Sequence, residues 1–295
     1  MSNFSNLKKS LLSCAIKIQS HMEKLLDANQ YNSAILEAMS YSVLASGKRI
    51  RPFLLFASAD IFGVSLSKCL NVASAIEFIH VYSLIHDDLP AMDNDDFRRG
   101  QLSNHKKFNE ATAILAGDAL LTYAFEILSH PNTNPDAHIR CELIQIIAKA
   151  SGFLGMVGGQ MLDIQNKNNI TIEEIINLHR LKTGELFMAS AECGAIMGRA
   201  NLQEKQAIKH YAKDLGIAFQ IQDDILDYLG TKLGKTNLDE TNNNSQETSI
   251  VNIIGLDSAK QHLQFLKQQT NEHLQIFGDK ASILCQLTNF VLHIV

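Results

Sequence analysis

The chain has 295 residues, a formal net charge of −5 at pH 7, only four prolines and no tryptophan. It is long enough to bury a sizeable core, as one large domain or two small ones, and so few breakers among so much Ala, Leu and Ile favour long helices over a sheet. The acidic balance gives no reason to expect nucleic acid as a partner, and an odd set of five cysteines without a CxxC pair points to a reducing compartment rather than a zinc site or disulfide framework.

Residues 7–26 read as an amphipathic helix, with Leu7, Leu11, Leu12, Ala15, Ile18, Met22 and Leu25 near helical spacing. Within it, Leu11-Leu12-Ser13-Cys14 looks superficially like a lipoprotein cleavage box. The apolar run before Cys14 is too short for a signal peptide, however, and Lys17 interrupts the residues after it. A second helix over 33–46 ends at Ser46-Gly47. An apolar helix from about Leu66 to Asp88 stops at Pro90, because the residue before a proline leaves the helical region. A helix over 110–129 runs into the loop Pro131–Pro135. The stretch Ala137–Gln165 is again apolar at helical period, but Gly152, Gly155, Gly158 and Gly159 mark places where two backbones, or a backbone and a ligand, approach closely.

Asn166–Asn169 reads as a loop, and Thr171 with Glu174 forms a capping box for a helix that carries Lys182-Thr183-Gly184 in its middle. Another helix runs from about Leu202 to Asp227. The Asn-rich stretch Asn237–Thr248 reads as a loop, and helical segments over 256–276 and 280–294 close the chain. No uninterrupted apolar stretch approaches the roughly 20 residues that span a bilayer. With no repeat and no linker, the expectation is one all-α domain over residues 1–295, cytosolic and without a membrane span.

Two aspartate clusters carry the chemistry: Asp87-Asp88-x4-Asp93 and Asp223-Asp224-x2-Asp227. On a helix, Asp223 and Asp227 stand at i and i+4 and Asp224 and Asp227 at i and i+3, a spacing at which like charges are destabilising. The first cluster ends an apolar helix, where the macrodipole also disfavours carboxylates. A solvated acidic helix end is the competing reading, but Ile217, Ala218, Phe219, Ile221, Ile225 and Leu226 place the second cluster against a core. Gathered carboxylates need a cation, and oxygen donors suit a hard divalent ion that shares its shell with substrate phosphates. Two basic elements, Gly47-Lys48-Arg49-Ile50-Arg51-Pro52 and Arg98-Arg99, offer a second, metal-free diphosphate pocket.

The motif order Gly-Lys-Arg-x-Arg-Pro, His-Asp-Asp-Leu-Pro-x-Met-Asp-x-Asp-Asp-x-Arg-Arg-Gly, Lys-Thr-Gly and Phe-Gln-x-x-Asp-Asp-Ile-Leu-Asp resembles the trans-isoprenyl diphosphate synthases, in particular the bacterial farnesyl diphosphate synthase type, over about residues 40–260. The resemblance implies the isoprenoid synthase fold: a homodimer of long antiparallel helices around a central cavity. It implies that Asp87, Asp88 and Asp93 with Asp223, Asp224 and Asp227 hold three Mg²⁺ ions around an allylic diphosphate, which Arg98 also contacts. Lys48, Arg51, His80 and Arg99 then bind isopentenyl diphosphate, while Lys182, Thr183 and Gln220 line the allylic site, with Lys182 and Thr183 near the developing carbocation. Lys235 would add a further allylic diphosphate contact.

Tyr82 lies five residues before Asp87, about 7.5 Å along a helix at 1.5 Å per residue. The resemblance makes an aromatic there the floor of the product cavity. Together with the two extra residues between the acids of the first motif it implies a C15 product; the small Ser83 argues against an earlier stop. An ordinary half-buried core aromatic is the other reading of Tyr82. One departure stands out: the sequence has Glu247 where the family places a lysine before Ser/Thr, and Leu238-Asp239-Glu240 replaces the usual Gly-x-Asp. Loss of one charge-assisted phosphate contact costs about 1.5–3 kcal/mol, roughly a tenfold to hundredfold rate penalty. The alternatives are therefore a geranylgeranyl or geranyl diphosphate synthase and a non-catalytic synthase subunit. A class I terpene cyclase is a further one, disfavoured because Asp227 stands at its usual Ser/Thr position and the Lys48/Arg51 pocket would have no purpose.

Overall fold

The computed structural model describes residues 5–27, 33–165, 171–232 and 249–292. α1 (Ser5–Leu25), α2 (Ala34–Val43), α3 (Ile50–Ile61) and α4 (Leu66–Asp87) lead to a small antiparallel hairpin of β1 (Phe97–Arg98) and β2 (Gln101–Leu102). α5 (Asn104–Lys107), α6 (Glu110–Ser129), α7 (Ala137–Ser151), α8 (Met156–Gln165) and α9 (Ile172–His179) come next. A π-helical turn, Arg180–Gly184, joins α9 to α10 (Glu185–Met197). The last elements are α11 (Leu202–Lys232), α12 (Ile250–Ile254), α13 (Leu256–His273), a 3₁₀ turn over Gln275–Ala281, and α14 (Ser282–Val291). The expected all-α class holds among the described residues, apart from that one hairpin. The expected loops at 166–169 and 237–248, with Lys235 and Glu247, lie outside the described residues.

Chain contacts divide into two units. In the first, Lys8–Phe53 with Ser65–Ile144, α4 packs on α6 and α2. Its Phe78 is fully buried, which contributes about 1.5–3 kcal/mol relative to an exposed ring, and stacks on Tyr123 with ring centres 5.8 Å apart. In the second unit, Met1–Leu7 with Leu54–Val64 and Gln145–Val295, α11 packs on α10 and α13. Tyr211 is buried there and its hydroxyl donates to the Leu284 carbonyl at 3.1 Å. The capping box forms as expected: Thr171 Oγ1 accepts the Glu174 N–H, and the Glu174 carboxylate accepts the Thr171 N–H.

Three expectations change. The stretch Ala137–Gln165 is two helices, because the backbone turns at Gly152–Gly155, where helix is entropically costly. Lys182-Thr183-Gly184 sits in a π-helical turn rather than in a regular helix. By length and composition, the helices Leu66–Asp87 and Glu110–Ser129 are long and apolar enough to cross a bilayer, as Ala137–Gln165 would be without its break. The sequence expectation asked for an unbroken apolar run, whereas these helices carry scattered charges; Leu66–Asp87 is largely buried inside the protein, so its apolarity serves the core.

Candidate active site

In the first unit, α4 carries His80, Tyr82, Ser83 and Asp87 and ends at Asp88. The chain then folds back: the Asp93 N–H donates to the Asp87 carbonyl at 2.9 Å, and the N–H groups of Met92 and Asn94 both donate to the Leu89 carbonyl. That turn brings the third acid of the first motif beside the helix end. Next comes the hairpin, whose two-residue turn places Arg99 and Gly100 at positive φ, as a tight β-hairpin turn requires. The hairpin aims Arg98 at Asp88, with Nε and Nη2 at 2.8 and 2.5 Å from Oδ1, while Nη2 also reaches Asp95 at 2.9 Å. Burial pushes the Asp88 carboxyl up to about 6, with Asp95 and Asp93 pushing the same way, although the Arg98 hydrogen bond and charge pull against it.

The expected isopentenyl diphosphate residues also lie in this unit. Lys48 is exposed, and Arg51 stands half-buried in the first turn of α3. Arg99 Nη2 comes within 3.5 Å of His80 Nε2. Burial, and then the charges of Arg51 and Arg99, hold the His80 imidazole well below its ordinary pKa, so the ring is neutral among cations. Burial likewise lowers Arg51 to about 10, against the pull of Glu77. Tyr82 is 6% exposed, and its ring meets His86 edge-on at 5.7 Å. Burial raises its hydroxyl to about 12, with Asp87 adding to the shift. Ser83 Oγ donates back to the His80 carbonyl at 2.8 Å.

In the second unit, α11 carries Gln220, Asp223, Asp224 and Asp227 at the helical spacing read from the sequence. Asp224 Oδ2 accepts the Ile250 N–H at 2.8 Å and lies 3.9 Å from His179 Nε2. Burial pushes Asp224 up to about 6 despite hydrogen bonds from Ile250, Gln220 and Ser249. The π turn contributes Lys182 and Thr183: Lys182 Nζ pairs with Asp163 Oδ2 at 2.6 Å, and Thr183 Oγ1 donates to Gln220 Oε1 at 3.2 Å. A π turn widens the helix and re-aims its side chains, and such turns recur at functional sites. Gly159 of α8 makes room for it, since a Cβ there would stand 2.3 Å from the Lys182 nitrogen.

Sequence reasoning missed Asp163, His179 and Glu77, which the structure places beside these groups, and it read Arg49 as part of a phosphate-facing basic cluster where the structure turns it inward. Asp163, the partner of Lys182, was hinted at only by the glycine pair one turn before it. His179, buried beside Asp224 and driven down to about 4 mainly by burial, carried no motif. Glu77 and Arg49 form a buried pair at 2.6 Å. The signal for that pair was a single acid in the middle of a long apolar helix, since a buried carboxylate demands a partner.

Among the described residues, no three His, Cys, Asp or Glu side chains stand together as a preformed metal site. The donor chemistry nevertheless fits a hard cation such as Mg²⁺. Both motifs supply carboxylate oxygens alone, and Asp88 and Asp224 are raised partly by neighbouring acids, a repulsion that a bound cation relieves. Such an ion takes one or two carboxylates and fills its shell with phosphate and water, so it needs no complete protein cage.

The polyprenyl synthetase family model matches residues 32–283. The chain belongs to the polyprenyl synthetase family. It is 40% identical over 278 residues to a farnesyl diphosphate synthase of Geobacillus stearothermophilus, covering 92% of this chain and 93% of that protein. A farnesyl diphosphate synthase of Micrococcus luteus is 45% identical over 253 residues, covering 84% and 86%. Among solved structures, an FPP/GFPP synthase from Zymomonas mobilis in its apo state superposes with a TM-score of 0.88 at 40% identity, covering 97% of this chain and 99% of that one. This polyprenyl synthetase thus has the all-α isoprenyl synthase fold expected from its motifs.

Proposed function

We propose that this polyprenyl synthetase is a prenyltransferase that joins isopentenyl diphosphate head to tail (1′–4) to dimethylallyl and then geranyl diphosphate, giving (E,E)-farnesyl diphosphate. The observation that carries the reading is the neutral His80 held against Arg99 and beside Arg51, in the same unit as the Asp88–Arg98 clamp. A cluster of cations suits a diphosphate that arrives without metal. An acid-rich helix end suits one that arrives with it.

Lys48, Arg51, His80 and Arg99 hold isopentenyl diphosphate. Asp87, Asp88, Asp93, Asp223, Asp224 and Asp227 hold Mg²⁺, three ions per site, and Arg98, Lys182, Thr183, Gln220 and Lys235 bind the allylic diphosphate. When bound, Mg²⁺ supplies Lewis-acid neutralisation of the leaving diphosphate. Fixed cations of the chain add to that electrostatic stabilisation at the oxygens where charge develops. Lys182 and Thr183 hold the allylic carbon chain at the point of ionisation, the homoallylic double bond attacks, and a proton leaves to the departing diphosphate. No protein nucleophile is needed. Tyr82 closes the product cavity about 7.5 Å below Asp87, which limits growth to C15.

The family match runs through both contact units, which supports treating residues 1–295 as one polyprenyl synthetase-like domain. A cytosolic homodimer belongs to the same reading. It is supported by the apolar stripe of Phe153, Leu154, Val157, Met161 and Ile164, with Phe153 80% exposed; large exposed apolar patches mark interaction surfaces. The decisive experiment gives the purified protein labelled isopentenyl diphosphate with dimethylallyl, geranyl or farnesyl diphosphate, with Mg²⁺ and with chelator. A metal-dependent C15 product from the first two is expected. Absence of any condensation product refutes the reading and turns attention to Glu247 and a non-catalytic subunit.

A further inference from the structure

We infer that Arg49 and Glu77 are positioning residues for the metal-free diphosphate pocket, an inference that rests on the isopentenyl diphosphate role proposed for Lys48, Arg51, His80 and Arg99. Arg49 lies between two of these cations but turns inward. It is 5% exposed, and its φ of 49° puts a long side chain in the left-handed region. Non-glycine residues hold that conformation only where their surroundings over-determine it. Here they do: Nη1 donates to Glu77 Oε1 at 2.6 Å, and Nη2 donates to the Val43 and Ala45 carbonyls at 2.7 and 2.8 Å and to Gln19 Oε1 at 3.1 Å.

Those contacts fix two parts of the pocket, and the backbone of the same residue a third. The carbonyls of Val43 and Ala45 lie in the chain leaving α2, so the guanidinium ties down the segment that leads to Lys48. The Arg49 carbonyl accepts the Phe53 N–H and so starts α3, the helix that carries Arg51 in its first turn. Glu77 is buried on α4 one turn before His80, with its side chain 3% exposed. The same turn lies against the fourth member, since a Cβ on Gly47 would stand 3.0 Å from Arg99 Nη1. One buried ion pair thus sets the spacing of the loop against the helix whose groups face the diphosphate.

A purely stabilising role is a poor account of it. Two charges taken out of water cost several kilocalories of desolvation, and an apolar pair of equal volume is often as stable. What an apolar pair cannot do is grip two carbonyls and a carboxylate with one planar fork. Arg49→Lys keeps the charge, and therefore the electrostatics of the pocket, but a single ammonium cannot reach all four acceptors. It separates position from charge.

The test is binding of isopentenyl diphosphate in the presence of chelator, by calorimetry. It uses the wild type, Arg49→Lys, and the double variant Arg49→Met with Glu77→Leu, with thermal unfolding and Mg²⁺-dependent geranyl diphosphate binding read alongside. Both variants are expected to fold, to bind geranyl diphosphate with Mg²⁺ within about twofold of wild type, and to bind isopentenyl diphosphate at least about tenfold more weakly. In turnover the change appears in KM for isopentenyl diphosphate and not in KM for the allylic substrate. Wild-type affinity for isopentenyl diphosphate in either folded variant overturns the inference. So does failure of both variants to fold, which would make the pair a requirement of the fold rather than of the pocket. If the wild type gives no condensation product yet binds isopentenyl diphosphate and loses it in the variants, the proposed reaction falls while the positioning role stands. A wild type that does not bind it overturns both.

Discussion

Gly159→Ala probes the second unit most directly, because it touches no side chain assigned to the chemistry. A Cβ at position 159 would stand 2.3 Å from the Lys182 nitrogen, 2.7 Å from its Cα and 2.9 Å from the Leu181 carbonyl carbon. All three are backbone atoms, so no flexible side chain can swing aside. Restoring an ordinary van der Waals separation of about 3.4 Å from the nearest of them requires α8 and the π turn to part by about 1 Å. Overpacking of this kind costs about 1–3 kcal/mol, which lowers the melting temperature by several degrees in a chain of this size. The larger effect falls on geometry. Lys182 and Thr183 move with the turn, and a displacement of about 1 Å at a positioning group lowers turnover by roughly 10²-fold. The assay is steady-state condensation of isopentenyl and geranyl diphosphates next to a thermal melt. A variant that melts several degrees lower but turns over at the wild-type rate refutes the placement of the π turn in the allylic site. One that is unchanged in both refutes the packing.

Asp87→Ala and Asp223→Ala, one in each motif, are expected to lower turnover by roughly 10³-fold or more while leaving the circular dichroism spectrum unchanged, since each removes charge stabilisation of the leaving group; a near-wild-type rate in either defeats the metal assignment. Tyr82→Ala removes the ring that meets His86 and is expected to shift products beyond C15 in chromatography of the dephosphorylated alcohols. Truncating a buried aromatic costs about 3–5 kcal/mol, so Tyr82→Leu at lower cost serves as the control, and an unchanged product spectrum in both rejects the floor.

The helices were legible because their signals are local. Thr171 and Glu174 announced a cap that forms as read, and the period of α11 put all three acids of the second motif on one helix, while α4 carries the first motif only as far as its end at Asp87–Asp88. The glycines at 152–159 announced a close approach but neither the break at Gly152–Gly155 nor which backbone Gly159 meets, because Lys182 lies 23 residues further on. The π turn was illegible for a related reason: Arg180-Leu181-Lys182-Thr183-Gly184 has no local preference for five-residue closure, and packing on α8 and α11 decides it. The hairpin at 97–102 has strands of two residues, too short for any alternation to show. Helix α3 was hidden behind the basic turn, although Pro52 in its first turn is where a proline is tolerated.

The functional residues divide along the same line. Residues expected to contact substrate were readable as charge out of place: acids ending an apolar helix, cations beside a proline. The residues that hold those charges in position were not, since Asp163, His179 and Glu77 acquire meaning only from partners brought to them by the fold, and Arg49, read as one of the basic cluster, faces inward to Glu77. Their chemistry explains how one chain holds such charges in its interior. Asp88 has Arg98, Glu77 has Arg49 and Lys182 has Asp163, each within 2.6 Å. Removing its partner strands the buried carboxylate of Asp88 or Glu77, whereas exchanging that partner for another of the same sign does not. Under the proposed function, a diphosphate that replaces Asp88 on Arg98 must therefore arrive with a cation that replaces Arg98 on Asp88. Allylic substrate and metal then bind together or not at all at this carboxylate.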